Sequence, residues 1–343
     1  MPPKDFVSVL TILSFFVLLT TPLKTQSPPE EPMVIEGKTM GTTYRIVYFD
    51  DPRRRDFKEA VDSLLLQVNK AINTYDPTAE ISRFNESEKG ISTALPFLYD
   101  ILKKARKIFS ASGGAFDPTV MPLVNAWGFG PAKASQPSSG DVDSIKRYIG
   151  FDKISFDKRN VTKTARNVQL DMGGIGQGYG ADVLCKFLES RGIRHMLIEL
   201  GGEGLALGKN LKKDQPWRIG ILDPNATLDH QFFKAYVTLE DKAFTTSGNY
   251  FNYRIVNGRK FGHTIDPVTG YPVQNSLLSA SVFARDCATA DAWATAFMVM
   301  GVEKAVAKVK TLRGIDALFI YSTEGGSLET YITPGMKKNI ILE

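Results

Sequence analysis

The alternation of apolar and polar residues predicts a chain that mixes strands with amphipathic helices. Residues Thr43–Phe49 alternate and are mostly β-branched or aromatic, which is typical of a strand. In Asp56–Ile72 the apolar side chains recur at the spacing of one helix face, and Leu98–Ser110 repeats that spacing. A shorter helix is predicted around Val142–Tyr148.

The middle of the chain has the pattern of a β-α-β unit. A predicted strand at Asn167–Asp171 is followed by a helix at Gly178–Arg191 and a second strand at His195–Leu200. Further predicted strands are Trp217–Ile221, Ala235–Leu239, Tyr253–Val256, Leu278–Phe283 and Ala317–Tyr321, and further helices are Ala288–Met300 and Val302–Leu312. Because strands and helices are mixed and several adjacent strands suit antiparallel pairing, we expect an α+β or mixed α/β fold.

The N-terminus contains the most apolar stretch of the chain, Phe6–Leu23. It is preceded by Lys4 and followed by a polar, Pro-rich run, which is the layout of a secretory signal. The stretch is also near the lower limit for a membrane span, so an uncleaved anchor and a buried N-terminal helix remain alternatives. We expect residues 1–32 to be a signal peptide or anchor with a linker, and residues 33–343 to be a folded, exported region.

Composition and charge exclude several classes of protein. Hydrophobic residues make up 43% of the 343 residues and charged residues 23%, which excludes a wholly disordered chain and a polytopic membrane protein. The net charge of +5 comes from interspersed residues, and nothing indicates a nucleic-acid partner. Two cysteines cannot form a disulfide framework or a cysteine zinc site, and three histidines make a histidine-rich metal centre unexpected.

A glycine-rich run between Gly173 and Ala181 is the strongest local signal for ligand binding. It lies between a predicted strand and a predicted helix, where backbone N–H groups and the helix N-terminus favour a phosphate. Within it, Gly176, Gly178 and Ala181 match G-x-G-x-x-A, and Glu199 ends the next predicted strand. The pattern predicts phosphate or nucleotide binding and leaves a Rossmann dehydrogenase open as an alternative.

Two further features suggest chemistry. Asp291 and Thr295 are four residues apart on a predicted helix and therefore share a face, where their hard oxygens would suit Mg²⁺ beside phosphates. A solvated helix edge is the alternative, although the apolar neighbours favour burial. His263 lies in a polar loop, where it could be a general base or a structural hydrogen-bonding residue.

Two loops place an aromatic side chain directly before an aspartate, in Tyr75-Asp76 and Phe116-Asp117. Such a pair could stack on a planar ligand and hydrogen-bond to it. Taken singly, each loop would be interpreted as a turn.

Together these segments occur in an order that resembles the ApbE family of flavin transferases, from roughly Met33 to the C-terminus. The segments are Met40-Gly41-Thr42, Tyr75-Asp76, Ser82-Arg83-Phe84-Asn85, Gly114 to Thr119, Leu170 to Gly176, Leu200-Gly201-Gly202, Thr246-Ser247-Gly248, His263 to Gly270, and Ala290-Asp291 with Thr295. Each segment alone is weakly specific, whereas the ordered set is highly specific.

The resemblance implies a fold of mixed sheets flanked by helices and a Mg²⁺-dependent enzyme that uses FAD as its substrate. Such an enzyme attaches FMN through a phosphoester bond to a threonine of a target protein and releases AMP. The implied partners are flavoprotein subunits of membrane or exported electron-transfer complexes. The implied location is the periplasm or the outer face of the inner membrane.

The resemblance also implies roles for individual residues. The metal ligands would be the backbone carbonyl of Gly176, the side chains of Asp291 and Thr295, and the Ala294 backbone. His263 would deprotonate the incoming threonine. The residues implied to hold FAD are Met40, Tyr75, Ala115, Phe116, Asp117, Gly173, Tyr179 and the segment His263-Thr264-Ile265.

The chain departs from the family pattern at three positions. Many relatives have Ala at the position of Gly176 and Lys at that of Gln177, and often Asp where Glu203 stands. A backbone metal ligand tolerates the first change, whereas the absence of a lysine puts any role of Gln177 in doubt. Hydrolysis of FAD to FMN and AMP, and a flavin-binding protein without catalysis, remain alternatives to transfer.

Overall fold

The computed structural model describes residues 31–50, 53–131, 137–227, 229–248, 253–256 and 259–343, and between 253 and 261 it describes the backbone only. The predicted N-terminal signal or anchor, Phe6–Leu23, lies outside these residues. Among the described helices, none combines the length and the apolar character that a membrane crossing requires.

The described residues form seven α-helices and seventeen strands. The helices are α1 (Lys58–Ile72), α2 (Glu80–Glu86), α3 (Phe97–Ser112), α4 (Met121–Ala126), α5 (Ser139–Lys146), α6 (Gly176–Ser190) and α7 (Cys287–Val309). The strands are β1 (Met33–Thr39), β2 (Thr42–Tyr48), β3 (Gly90–Ser92), β4 (Ile154–Phe156), β5 (Asn160–Lys163), β6 (Met196–Leu200), β7 (Glu203–Leu207), β8 (Lys209–Asn210), β9 (Gln215–Leu222), β10 (Phe233–Leu239), β11 (Lys242–Gly248), β12 (Tyr253–Val256), β13 (Arg259–Gly262), β14 (Leu277–Ala284), β15 (Asp316–Ser322), β16 (Leu328–Ile332) and β17 (Ile340–Leu342).

The centre of the fold is an eight-stranded sheet in the order β1-β2-β6-β7-β11-β14-β15-β16. On one face, apolar residues of β1, β2 and β6 pack against α1 and α6, and β14 packs against α7. On the other face, the sheet packs against the smaller sheet β17-β10-β9-β8 through a core that includes Trp217, Phe244 and Phe283. The prediction of mixed sheets flanked by helices is therefore confirmed.

The predicted β-α-β unit is wrong at its first strand. Asn167–Asp171 is not a strand, because its backbone pairs with a side chain and a loop instead of a neighbouring strand. The Asn85 amide donates to the Leu170 carbonyl (2.9 Å), the Leu170 N–H donates to Asn85 Oδ1 (2.7 Å), and the Asp171 N–H donates to the Pro118 carbonyl. Every strand pairing within the described residues is antiparallel, which excludes the parallel sheet of a Rossmann dehydrogenase there.

The long C-terminal helix α7 is interrupted at the point where the sequence predicts the boundary between two helices. Gly301, inside α7, has φ 73° and ψ 168°, which are not helical values. Glycine adopts a positive φ without the steric cost of a Cβ atom, and this lets the chain break and resume the helix. The part of α7 before Gly301 lies against β11 and β14 and contains Asp291 and Thr295.

We predict that Asn85→Ala lowers the free energy of unfolding by about 2 kcal/mol, because the buried N–H and carbonyl of Leu170 both lose their partner. Urea denaturation of the variant measures this loss. The matched control is Asn160→Ala, at an exposed position, which should change stability by less than about 0.5 kcal/mol. Equal stabilities of the two variants would contradict the bridging role of Asn85.

Candidate functional site

A cavity of ≈ 760 Å³ lies where the β1–β2 turn, the end of α1, the glycine-rich turn and α7 converge. Its volume is in the range of sites that enclose a cofactor-sized ligand. The predicted site residues that line it are Met40, Tyr75, Ala115, Phe116, Asp117, Gly173, Gly176, His263, Ile265, Asp291 and Thr295. The structure therefore brings together residues that the sequence spreads from position 40 to position 295.

The glycine-rich turn allows α6 and α7 to approach closely. A Cβ atom at Gly178 would lie 2.5 Å from the carbonyl oxygen of Cys287, and one at Gly174 would lie 2.7 Å from Thr295 Oγ1. Both distances are shorter than van der Waals contact, so these two positions require glycine for packing. Gly176 differs, because its nearest atom would be Ile72 Cδ1 at 3.3 Å, a contact that a small shift of the isoleucine could relieve.

Asp291 lies at this contact between the two helices. Its carboxylate accepts a hydrogen bond from the Gly178 N–H (3.0 Å), and the residue is only 4% exposed. Burial raises the pKa of Asp291 to about 7, because a charged carboxylate is poorly solvated there. A single N–H donor compensates only part of that cost, which leaves the carboxylate suited to a cation.

Glu203, at the start of β7, lines the same cavity and is 8% exposed. Its Oε2 atom has no hydrogen-bond partner among the described residues. Burial raises the pKa of Glu203 well above its usual range, and the nearby Asp291 carboxylate raises it further. A second buried carboxylate therefore faces the cavity beside the first.

These groups fit a hard divalent cation. The cavity lining offers the Asp291 and Glu203 carboxylates, the Thr295 hydroxyl and the backbone of Gly176, all oxygen donors of the kind that Mg²⁺ prefers. No cluster of three or more His, Cys, Asp or Glu side chains suited to a metal occurs among the described residues. A metal at this position would therefore depend on hydroxyl and carbonyl oxygens as well as on carboxylates.

The start of α7 is fixed by a partly buried ion-pair network. The Asp182 carboxylate, on α6, accepts hydrogen bonds from the N–H groups of Cys287 (2.7 Å) and Ala288 (3.2 Å). Lys104, on α3, pairs with Asp182 at 3.3 Å and with Asp286, the N-cap residue of α7. The network holds α7 in register with α6, and so it positions Asp291 and Thr295 opposite the glycine-rich turn.

His263 directly follows β13 and lines the cavity. Burial raises the pKa of the Asp171 carboxyl, and a positive charge on His263 would partly offset this rise. The histidine is therefore close to the turn that precedes α6, the side of the cavity that also contains the oxygen donors.

The aromatic residues differ in exposure. Tyr75 is 66% exposed, and its hydroxyl donates to the Phe129 carbonyl at 3.1 Å across the cavity mouth. Phe116 is buried in the wall. Met40 has φ 49°, an unusual value for a non-glycine residue, in the turn that places its side chain at the cavity. The predicted ring contacts to a planar ligand are therefore available at both the mouth and the wall.

Asp117 directly follows Phe116 and caps the 3₁₀ turn Pro118–Val120. Its Oδ1 atom accepts hydrogen bonds from the N–H (2.8 Å) and the hydroxyl (2.7 Å) of Thr119. Burial raises the pKa of Asp117 to about 6 despite these bonds. Asp117 therefore both stabilises the turn through its Oδ1 atom and lines the cavity.

Two predicted site residues do not line the cavity. The ring of Tyr179 is buried and packs edge-on against Phe97 at 6.5 Å between ring centroids. Ala294 is fully buried within α7. The FAD contact of Tyr179 and the backbone metal contact of Ala294 therefore stay predictions.

Sequence reasoning missed several residues of the lining. Glu203 was singled out only as a departure from the family pattern, although a carboxylate directly after Gly201-Gly202 at the start of a strand was a usable signal. Gln177 also lines the cavity, and its amide lies against Gly201. Asn69 gave no signal, because its polar side chain is one of many on α1.

The chain is similar to proteins of one known family. The profile described as "ApbE family" matches residues 40–319. The chain belongs to the ApbE family. A curated relative from Vibrio cholerae serotype O1, named "FAD:protein FMN transferase", is 35% identical over 311 residues, which cover 88% of this chain and 91% of the relative. A relative of the same name from Escherichia coli K12 is 33% identical over 352 residues, covering 98% of this chain and 97% of the relative.

Solved structures of the family share the fold. The structure described as "Flavin Transferase ApbE from Vibrio cholerae" superposes with a TM-score of 0.81 at 32% identity, covering 91% of this chain and 100% of that chain. The family assignment and the fold class that the ordered segments predict are both confirmed.

We predict that Asp117→Asn raises the melting temperature relative to the unsubstituted protein, and more so as the pH rises from about 4 to about 7. The folded pKa of about 6 lies above the usual aspartate value of 3.8, so the unfolded chain binds fewer protons in this window and stability falls with rising pH. The asparagine amide does not titrate, so it removes this pH dependence of stability, and its oxygen can still accept the hydrogen bonds from Thr119.

Calorimetric scans at several pH values measure this difference, with Asp143→Asn, at an exposed position on α5, as the control that leaves the profile unchanged. A difference between Asp117→Asn and the unsubstituted protein that is the same at every pH would contradict the assignment.

Proposed function

We propose that this chain is a Mg²⁺-dependent FAD:protein FMN transferase that attaches FMN to a threonine hydroxyl of an acceptor protein and releases AMP. The observation that supports it most directly is one cavity in which buried carboxylates, a threonine hydroxyl, the glycine-rich turn and His263 meet. The names of relatives at 33% and 35% identity over most of the chain support the transferase activity.

FAD occupies the cavity with its rings against the aromatic walls and its diphosphate towards α6. Tyr75 and Phe116 offer ring faces, and Met40, Ala115 and Ile265 offer apolar contacts. Gly173 and Asp117 contribute polar groups to the same lining. The backbone of the glycine-rich turn lies beside the oxygen donors, where a diphosphate would be held.

The reaction is a displacement at the phosphorus atom of the FMN half. The acceptor's threonine oxygen forms a bond to that phosphorus, the bond to the AMP oxygen breaks, and AMP leaves with the electron pair. His263 accepts the proton of the threonine hydroxyl, because imidazole is the side chain best suited to take up and release a proton near neutral pH. Mg²⁺, when bound by Asp291, Thr295 and the Gly176 carbonyl, supplies positive charge that stabilises the diphosphate and the leaving group.

The acceptors are flavoprotein subunits of membrane or exported electron-transfer complexes, and the enzyme acts outside the cytoplasm. The apolar stretch Phe6–Leu23 and the Pro-rich run after it support export. Tyr75 at the cavity mouth is 66% exposed, so a threonine on another protein can approach from solvent.

The proposal is tested with the full chain, FAD, Mg²⁺ and a threonine-containing acceptor peptide, by mass spectrometry of the peptide. The expected result is a mass gain of one FMN that EDTA abolishes, with no gain on a peptide whose threonine is replaced by valine. Free FMN and AMP without peptide modification would assign FAD hydrolysis instead. Intact FAD under all conditions would contradict catalysis and favour a flavin-binding protein.

We predict that Asp291→Asn reduces metal-dependent turnover by at least about 100-fold, because the amide keeps the shape of the side chain but loses the charge. Turnover is measured as AMP release at several Mg²⁺ concentrations. Glu80→Gln, which changes a buried carboxylate outside the cavity, is the control and should retain turnover. Normal turnover of Asp291→Asn would remove Asp291 from the metal site.

We predict that His263→Ala slows transfer by about 100-fold or more, the usual contribution of a general base, while FAD affinity changes by less than about threefold. Transfer is followed by peptide mass and FAD binding by fluorescence quenching. His230→Ala, at an exposed position outside the cavity lining, should leave both unchanged. A parallel loss of FAD affinity and rate would instead assign His263 to binding.

A further inference from the structure

Glu203 is the buried cavity-lining carboxylate that the family's ligand set leaves without a role. It is 92% shielded from solvent, since its exposed fraction is 8%, and its Oε2 atom has no hydrogen-bond partner among the described residues. A buried carboxylate oxygen without a partner is costly, and native structures pair nearly all such atoms. The unpartnered oxygen makes Glu203 a candidate for ligand binding.

A second buried glutamate shows that such an atom need not mark a site. Glu80 Oε2 also lacks a partner, but Glu80 Oε1 accepts hydrogen bonds from the N–H groups of Ala94 (2.6 Å) and Leu95 (3.1 Å). Glu80 does not line the cavity, whereas Glu203 does. The distinguishing feature of Glu203 is the open space in front of it, shared with Asp291.

The fold holds Glu203 rigidly at this place. The turn before it uses positive φ values at Gly201 (70°) and Gly202 (105°), and the Gly202 N–H donates to Glu199 Oε1 at 2.6 Å. Glu203 then begins β7, which pairs with β6 on one side and β11 on the other. A side chain on a central strand is held more precisely than one on a loop, as a metal ligand requires.

We propose that Glu203 is a further ligand of the divalent cation, and that it supplies a second carboxylate beside Asp291. The inference rests on the Mg²⁺ site of the proposed function and deepens it. With Asp291 as its one acidic ligand, the site has one negative charge for a doubly charged ion; with Glu203 it has two. The protein alone then neutralises the cation, so the metal binds before FAD supplies its phosphates.

The consequence is an order of binding. In the unsubstituted protein, the cation binds without FAD. In Glu203→Gln, the cation binds tightly only once the FAD diphosphate contributes negative charge. Glu203→Asp keeps a carboxylate on a shorter side chain and restores part of the FAD-independent affinity.

The test is a titration of the full chain with Mn²⁺, with and without FAD, in which free Mn²⁺ is read from its electron paramagnetic resonance signal. We expect Glu203→Gln to weaken FAD-independent binding by about tenfold or more, and Glu80→Gln to bind like the unsubstituted protein. Melting temperatures in EDTA are measured in parallel. Glu203→Gln should melt no lower than the unsubstituted protein there, and should gain less from Mg²⁺.

The outcomes separate the inference from the proposed function. If the unsubstituted protein binds no Mn²⁺ with or without FAD, the metal dependence of the proposed function fails, and the inference fails with it. If the unsubstituted protein binds Mn²⁺ and Glu203→Gln binds it equally well, the inference alone is overturned. If Glu203→Gln melts lower in EDTA and Glu203→Asp restores stability without restoring affinity, Glu203 is structural and the inference is again overturned.

Discussion

The close contact between α6 and α7 is the constraint on which the site depends. It requires glycine at position 178, where a Cβ atom would collide with the Cys287 carbonyl, and it makes the Gly178 N–H the donor to Asp291. Asp182, one turn further along α6, strengthens the same contact, because its carboxylate caps the first N–H groups of α7. The helix that contains the oxygen donors is thus fixed against the turn that would hold phosphate.

The contact has an electrostatic cost that explains why the site would take a cation. Burial raises the pKa of both Asp291 and Glu203, so the charged forms that bind metal are unfavourable without a counter-charge. A divalent cation would offset this cost, and the diphosphate of a nucleotide would then be held by the cation and the glycine-rich turn together. Packing, charge and ligand binding are therefore linked through one pair of helices.

Local patterns predicted most of the elements, and ordered short segments predicted the family. The helix at Asp56–Ile72 and the break at Gly301 could be predicted from the sequence, because the spacing of apolar residues and the position of a glycine are local signals. The strand at Asn167–Asp171 was wrong because its partner, the Asn85 side chain, lies 85 positions from Leu170 and no local pattern reveals it. The glycines were interpreted as a phosphate signal, although Gly174 and Gly178 also serve helix packing, and Glu203 joins Asp291 only through the order of strands in the sheet.

We propose that α6, α7 and β7 together build one divalent cation site inside the cavity. The most direct measurement is the anomalous scattering of Mn²⁺ in a crystal of the full chain grown with Mn²⁺ and FAD. We expect a peak bounded by the Asp291 and Glu203 carboxylates, Thr295 Oγ1 and the Gly176 carbonyl, with FAD phosphates beside it. A bound FAD with no Mn²⁺ peak at these residues, or with the peak elsewhere, would contradict it.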